Sequence, residues 1–151
     1  MQFRTHIAFA FLISLFLIDY FKIKNQIIFL TVILFFSVIP DIDEYSSKIS
    51  KKLRPFSYII NLLFTHRGFF HSIYIPLLSL MLFPVNKPIC LAALIGYLSH
   101  LFLDALTIGG ISPLSPLFNG KIRGFIKVNS LLENIFFYAL VTFIVYKLVY
   151  V

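Results

Sequence analysis

At 151 residues, 60% apolar and 13% charged, the chain carries more apolar surface than a soluble domain of this size can hide, which excludes an ordinary water-soluble globule. The net charge of +7 reads as membrane orientation and contact with anionic lipid rather than direct nucleic-acid binding. A lone cysteine, Cys90, excludes an intrachain disulfide and is read as a packing residue.

In chain order, apolar runs occupy residues 7–21, 27–39, 69–83, 89–107 and 131–151, separated by basic or proline-bearing breaks. The expectation is an all-α, polytopic transmembrane helical bundle of about five spans, forming one domain over residues 1–151. The first three runs are short against the roughly 20 residues that a straight span needs, so short or re-entrant helices around a polar site are expected. The first run has a basic start, Arg4, but no small-residue cleavage site follows it, and the bulky, charged Asp19-Tyr20-Phe21-Lys22 marks it as a retained anchor. Residues 56–64 form a further apolar piece, suited to a half-helix or an interfacial segment.

Five spans place Arg4, Lys48, Lys51, Lys52, Arg54, Arg67, Lys121, Arg123 and Lys127 on one side of the membrane. Lys22, Lys24 and Lys87 fall on the other, and Lys147 lies within the last run. Nine against three puts the N-terminus in the cytoplasm of a multi-pass membrane protein.

Polar groups in such a chain are costly, roughly 2.5–3.5 kcal/mol for a charge at mid-span on insertion scales. His6 opens the first span, Asp41 and Asp43 close the second, His66 and His71 open the third, and His100 and Asp104 end the fourth. All come out at one face, although histidines played no part in the charge count. Asp19 alone falls on the other side, as an interfacial, solvated residue.

His100 and Asp104 are four apart on a helical stretch and stack on one face, a spacing that suits a pair of metal ligands or a plain His–Asp hydrogen bond. Thr107, a turn further on, is placed to support them. Pro40 is expected to end the second span in an extended turn that points Asp41 and Asp43 the same way, with Asp43 alternatively capping a helix. His66 and His71 would stand about 140° apart on a helix, so a turn at Gly68 is needed to bring both imidazoles to one point.

Imidazole with carboxylate and no thiolate suits a divalent transition metal, zinc first, with manganese or iron(II) also acceptable, as one or two ions. Such a metal with an open position lowers the pKa of bound water to about 7, which makes hydrolysis its natural use. Arg67 and Arg123 are candidates for clamping a phosphate oxygen, the alternative for each being ordinary inside-positive charge. A metal or proton transporter and a scaffold with a structural metal are the rival readings. No inverted repeat is visible, and the polar residues do not continue across the membrane.

Four motifs in order, Thr5-His6, Pro40-Asp41-Ile42-Asp43, His66-Arg67-Gly68-Phe69-Phe70-His71-Ser72, and the stretch from Gly96 through His100 and Asp104 to Thr107, resemble the YdjM-like family. That family comprises prokaryotic inner-membrane proteins described as metal-dependent hydrolases, and the resemblance covers roughly residues 5–124. It implies a membrane-bound hydrolase with His6, Asp41, Asp43, His66, His71, His100 and Asp104 as its ligand and catalytic set. On this reading His66, His71, His100 and Asp104 bind metal, His6 and Asp41 complete the shell or hold a second ion, and Asp43 is the general base. A distant likeness in motif style to zinc-dependent phospholipase C suggests phosphoester chemistry without naming a substrate. A site at the bilayer surface, which lipid can enter sideways, makes a lipid or membrane-associated phosphoester the expected substrate and membrane lipids the expected partners. In the loop after the fourth span, Leu117 separates Pro116 from Phe118 where the family has a proline-phenylalanine pair, and Glu133 and Asn134 receive no role.

Overall fold

The computed structural model describes residues 1–43, 69–118 and 120–150. Within them stand five α-helices, α1 (Phe3–Phe21), α2 (Gln26–Phe36), α3 (Tyr74–Leu78), α4 (Lys87–Ala105) and α5 (Leu131–Tyr150), with three short 3-10 helices and no strand. Three of these helices, α1, α4 and α5, are long and apolar enough to cross a membrane. At 1.5 Å per residue each reaches about 28–30 Å, the thickness of a bilayer's hydrocarbon core.

The turn from α1 into α2 is set by backbone chemistry. Lys22 takes the left-handed conformation at φ 49° and its N–H returns to Asp19, while the Ile23 N–H bonds the Ile18 carbonyl at 3.1 Å. This is a Schellman ending, and its usual hydrophobic contact is present because Ile18 and Ile23 share a buried cluster with Phe29, Ile33 and Ala92. The reversal sends α2 back antiparallel to α1.

Helix α2 has only 11 residues, so the second apolar run spans about 16 Å as a helix. Beyond it the chain continues as a 3-10 helix, Ile39–Asp43, and this replaces the extended turn expected after Pro40. Proline at the second position of a 3-10 helix sacrifices no hydrogen bond, because the first N–H groups have no intrahelical acceptor in any case.

The third apolar run also departs from a continuous span. It breaks into a 3-10 helix at Phe69–His71, then α3, then a second 3-10 helix at Ser79–Leu82. Pro76 lies within α3, and the Ser79 hydroxyl bonds back to the Pro76 carbonyl at 2.6 Å, so the local polar groups favour tight turns over a long helix. The run is tied to its neighbours through the Tyr97 hydroxyl, which donates to the Phe70 carbonyl at 2.5 Å, and through the Ile73 N–H, which donates to Pro113 at 2.9 Å.

Helix α4 is the axis of the bundle. Asn86 caps it by accepting from the Ile89 N–H at 3.0 Å, and Pro88 sits in its first turn, where a missing N–H costs nothing. Ala92, Ala93 and Gly96 let α2 approach closely, so that a Cβ on Gly96 would stand 2.4 Å from the Ile33 carbonyl oxygen. Contacts advance together along the two helices, Ile33 with Gly96 and Ser37 with His100, so α2 and α4 run parallel.

Helices α1 and α5 also run parallel to each other. Gln2 and Thr5 meet Glu133 at one end, and Asp19 meets Lys147 at 2.5 Å near the other. Asp19 was expected to be solvated only; its side chain is 57% exposed yet has this cationic partner from α5. The segment between α4 and α5 folds back over the α4 end, pinned by paired backbone bonds between Ile111 and Ile122 and between Ile126 and the stretch 106–108. At Gly124 a Cβ would lie 2.2 Å from the Leu106 carbonyl oxygen, so only glycine permits this approach.

This topology gathers the start of α1, the close of α2, the entry to the third run and the end of α4 at one end of the bundle. Those are the places where the sequence holds His6, Asp41, His71, His100 and Asp104.

Candidate metal centre

Five side chains from four separate segments converge at that end, and all five are buried. His6 and His100 stack face to face, with ring centroids 3.9 Å apart and planes 11° from parallel, and His71 meets His100 edge-on at 5.4 Å. Asp104 lies among the three rings. Its Oδ1 is 3.4 Å from His6 Nε2, and its Oδ2 is 3.6 Å from His71 Nε2 and 3.8 Å from His100 Nε2. Asp41 Oδ1 lies 3.6 Å from the same His100 Nε2.

Two triads can therefore hold a metal ion, His6 with His100 and Asp104, and Asp41 with His71 and His100, their ligand atoms within 4.8 Å of one another. The spacing fits. Ligands at about 2.1 Å around a tetrahedral ion stand about 3.4 Å from each other, close to the His–Asp separations of 3.4–3.8 Å seen here.

The protonation pattern fits as well. His100 Nδ1 is 2.8 Å from the Ser37 carbonyl, which can only accept, so Nδ1 carries the proton and the Nε2 lone pair faces the cluster. A carbonyl fixing the tautomer of a histidine in this way is the usual support behind a metal-bound imidazole. His100 Nε2 and both ring nitrogens of His6 are buried without a hydrogen-bond partner. Buried polar atoms left unbonded are costly, and a cation would take up the lone pair of His100 Nε2 and that of one His6 nitrogen. The Met1 ammonium contacts Asp104 Oδ1, a positive charge on the oxygen that also faces His6.

Of the residues singled out in the sequence, His6, Asp41, His71, His100 and Asp104 are thus brought to one place. His66 and Arg67 lie outside the described residues, as does the side chain of Asp43. Arg123 is exposed on the loop after α4 and makes no ion pair with a described residue. Thr107 is buried, but its hydroxyl donates to the Asp104 main-chain carbonyl at 2.7 Å and accepts from the Gly110 N–H at 3.3 Å, so it anchors the loop instead of bonding a candidate ligand side chain.

Glu133 was given no role in the sequence and proves to be fully buried beside the site. Its Oε1 accepts from the Gln2 N–H at 2.6 Å and faces the Thr5 hydroxyl at 3.4 Å, and its Oε2 accepts from the Asn129 N–H at 2.7 Å. These bonds fix the first turn of α1, which presents His6. A signal was available: Ser130-Leu131-Leu132-Glu133 is a capping-box pattern, and the Glu133 N–H does bond Ser130 Oγ at 3.3 Å. The Ser37 carbonyl, a backbone group, left no such trace.

The uncharacterized protein YvsG of Bacillus subtilis (strain 168) is 37% identical over 83 residues, which cover 53% of this chain and 52% of YvsG, so the match spans about half the length of that relative. No solved structure matches the chain. A family model described as YdjM inner membrane protein matches residues 1–150, and with its apolar helices and buried His/Asp groups the chain belongs to this family of membrane proteins.

Proposed function

We propose that this protein is a membrane-embedded metal-dependent hydrolase acting on a phosphoester, with a lipid phosphate or another membrane-associated ester as substrate. The observation that carries the reading is the buried pair of triads sharing His100, whose Nε2 is aimed by the Ser37 carbonyl. A divalent ion bound there, zinc by preference, would polarise a phosphoryl oxygen and acidify bound water.

The chain's own groups supply the remainder. His6, His100 and Asp104 would hold one ion, and His71 and Asp41, with His66, would complete its shell or hold a second. Burial by α1, α2, α4 and the loop at residues 106–130 excludes bulk water and strengthens every charge interaction inside. Asp43 is assigned as the general base that takes a proton from water, and Arg67 and Arg123 as the cations that meet a phosphate. Asp43 follows the buried Asp41 by two residues, and Arg123 lies on the loop folded over the end of α4. A multi-pass arrangement with the N-terminus in the cytoplasm puts the site at the cytoplasmic surface, where a lipid can reach it by lateral diffusion.

The test pairs metal analysis with turnover. Detergent-purified protein is assayed for zinc, manganese and iron by mass spectrometry, and for release of inorganic phosphate from phosphatidic acid or of phosphorylated head group from phospholipid diesters in mixed micelles, beside His100→Ala. One or two equivalents of metal and measurable release, both lost in the variant, are the expected result. Bound metal with no release on any lipid or soluble phosphoester would overturn the hydrolase and leave a structural metal. Metal uptake into sealed vesicles dependent on His100 would instead make the protein a transporter.

A further inference from the structure

The end of the bundle remote from the histidines holds a second feature. There the end of α1, the start of α2, Phe83 and the start of α4 enclose a cavity of about 640 Å³. This is within the usual range for small-molecule sites, roughly 300–1,000 Å³. Ile28, Phe29 and Phe83 give it apolar walls, and Lys22, Lys24 and Lys87 stand around it.

The charge pattern is one-sided. Among the described residues no carboxylate pairs with these three lysines, and the one described acid at this end, Asp19, is engaged by Lys147 at 2.5 Å. Lys87 Nζ lies 5.4 Å from the centre of the Phe83 ring at the cavity wall. The Schellman turn explains the placement of the other two, because it buries Ile23 and leaves its neighbours Lys22 and Lys24 exposed on either side. Cationic rim and apolar wall thus meet at the ends of membrane helices, the depth at which lipid head groups lie.

We propose that this cavity is a seat for one acidic phospholipid, its head group among Lys22, Lys24 and Lys87 and the first part of an acyl chain against Ile28, Phe29 and Phe83. A zwitterionic lipid fits less well, since it brings its own ammonium into a ring of cations. A free phosphate would leave the apolar wall uncovered. The inference uses none of the groups at the metal centre and stands independently of the hydrolase reading.

Native mass spectrometry of the delipidated full chain, titrated with dioleoyl phosphatidylglycerol or dioleoyl phosphatidylethanolamine, tests it. A basic residue at an anionic membrane surface is worth roughly fivefold in binding, so three predict a preference for phosphatidylglycerol of at least about tenfold. Lys22→Gln, Lys24→Gln and Lys87→Gln together should abolish that preference, whereas Lys121→Gln with Lys127→Gln, on the loop at the other end, should keep it. Ile28→Trp, which fills the cavity and leaves the charges intact, should weaken phosphatidylglycerol binding; it also decides the matter if the triple variant does not fold. Excess inorganic phosphate should not displace the lipid. Equal binding of the two lipids, a preference that survives the triple substitution, one lost equally with the distant pair, unchanged binding in Ile28→Trp, or displacement by phosphate would each overturn the proposal.

Discussion

Helices α4 and α5 are near twins in length and apolarity, at 19 and 20 residues, yet 56% of the apolar stretch of α4 is buried against 11% of that of α5. Hydropathy finds both as spans and cannot rank them. What separates them is side-chain size and the placement of polar groups. Helix α4 carries Ala92, Ala93 and Gly96 at close range to α2 and ends in His100 and Asp104. Helix α5 turns Phe143, Tyr146 and Leu148 outward and packs its other face along α1, with polar contacts near both ends and Leu140 buried between them. In a lipid environment large apolar residues have no reason to hide, whereas small residues allow close backbone approach and buried polar groups must find partners.

The sharpest way to break this contrast is to remove the polar group at the hub of α4. His100 belongs to both triads, so His100→Ala should abolish stoichiometric metal binding. Losing even a group that supports a ligand typically costs 10–100-fold in affinity, and loss of a shared ligand should exceed about 100-fold. Isothermal titration with zinc measures it, and metal retained at wild-type affinity would show that the triads are not the binding site.

Next in size is Gly96→Val. Its Cβ would meet the Ile33 carbonyl oxygen at 2.4 Å, and backbone cannot yield as a flexible side chain can. Forcing α2 from α4 should cost about 1–3 kcal/mol or more, read as a lowered unfolding temperature in detergent. The same displacement pulls the Ser37 carbonyl from His100 Nδ1, so metal affinity should fall with stability although no ligand is changed. A stable Gly96→Val with normal metal affinity would mean that small residues on α4 are incidental.

The contrast also marks how far the sequence could be read. Hydropathy located the three long helices. The His and Asp positions predicted their shared end, because a charged group in a span must face a partner. The broken third run was less legible: an apolar count over 69–83 does not register that Pro76 and Ser79 favour tight turns there. For Asp41 the extended turn expected after Pro40 proves to be a 3-10 helix, but the residue still arrives at His100. The role of Ser37 was beyond reach, as it is exercised through a carbonyl that every residue possesses.

Glu133 tests whether α5, largely a lipid-facing helix, contributes to the centre at all. Its carboxylate accepts backbone N–H groups from Gln2 and Asn129, and Glu133→Gln would turn an amide donor toward at least one of them. Bonds to a charged acceptor are worth about 1.5–3 kcal/mol each, so stability should fall by about that amount. Because the same bonds fix the first turn of α1, zinc affinity should fall by about tenfold through His6. A variant that is less stable but keeps full zinc affinity would confine Glu133 to joining α1 and α5.

The smallest effect is expected on the outer face of α5. Phe143 is 61% exposed and makes no stacking contact with another described ring. In a membrane its neighbour is acyl chain, in the folded and the unfolded-but-inserted states alike, so truncation forfeits little that folding had gained. Phe143→Ala should therefore change stability by under about 0.5 kcal/mol, as surface substitutions do, and leave metal content untouched. The paired variant Leu103→Ala, on α4 at 0% exposure, removes a side chain packed with Met1 and Ile126 beside the candidate ligands and should cost about 2–5 kcal/mol. If Phe143→Ala proved as damaging as Leu103→Ala, the exposed face of α5 would have to be covered by protein rather than lipid, and a second copy of the chain against that face would be the first thing to look for.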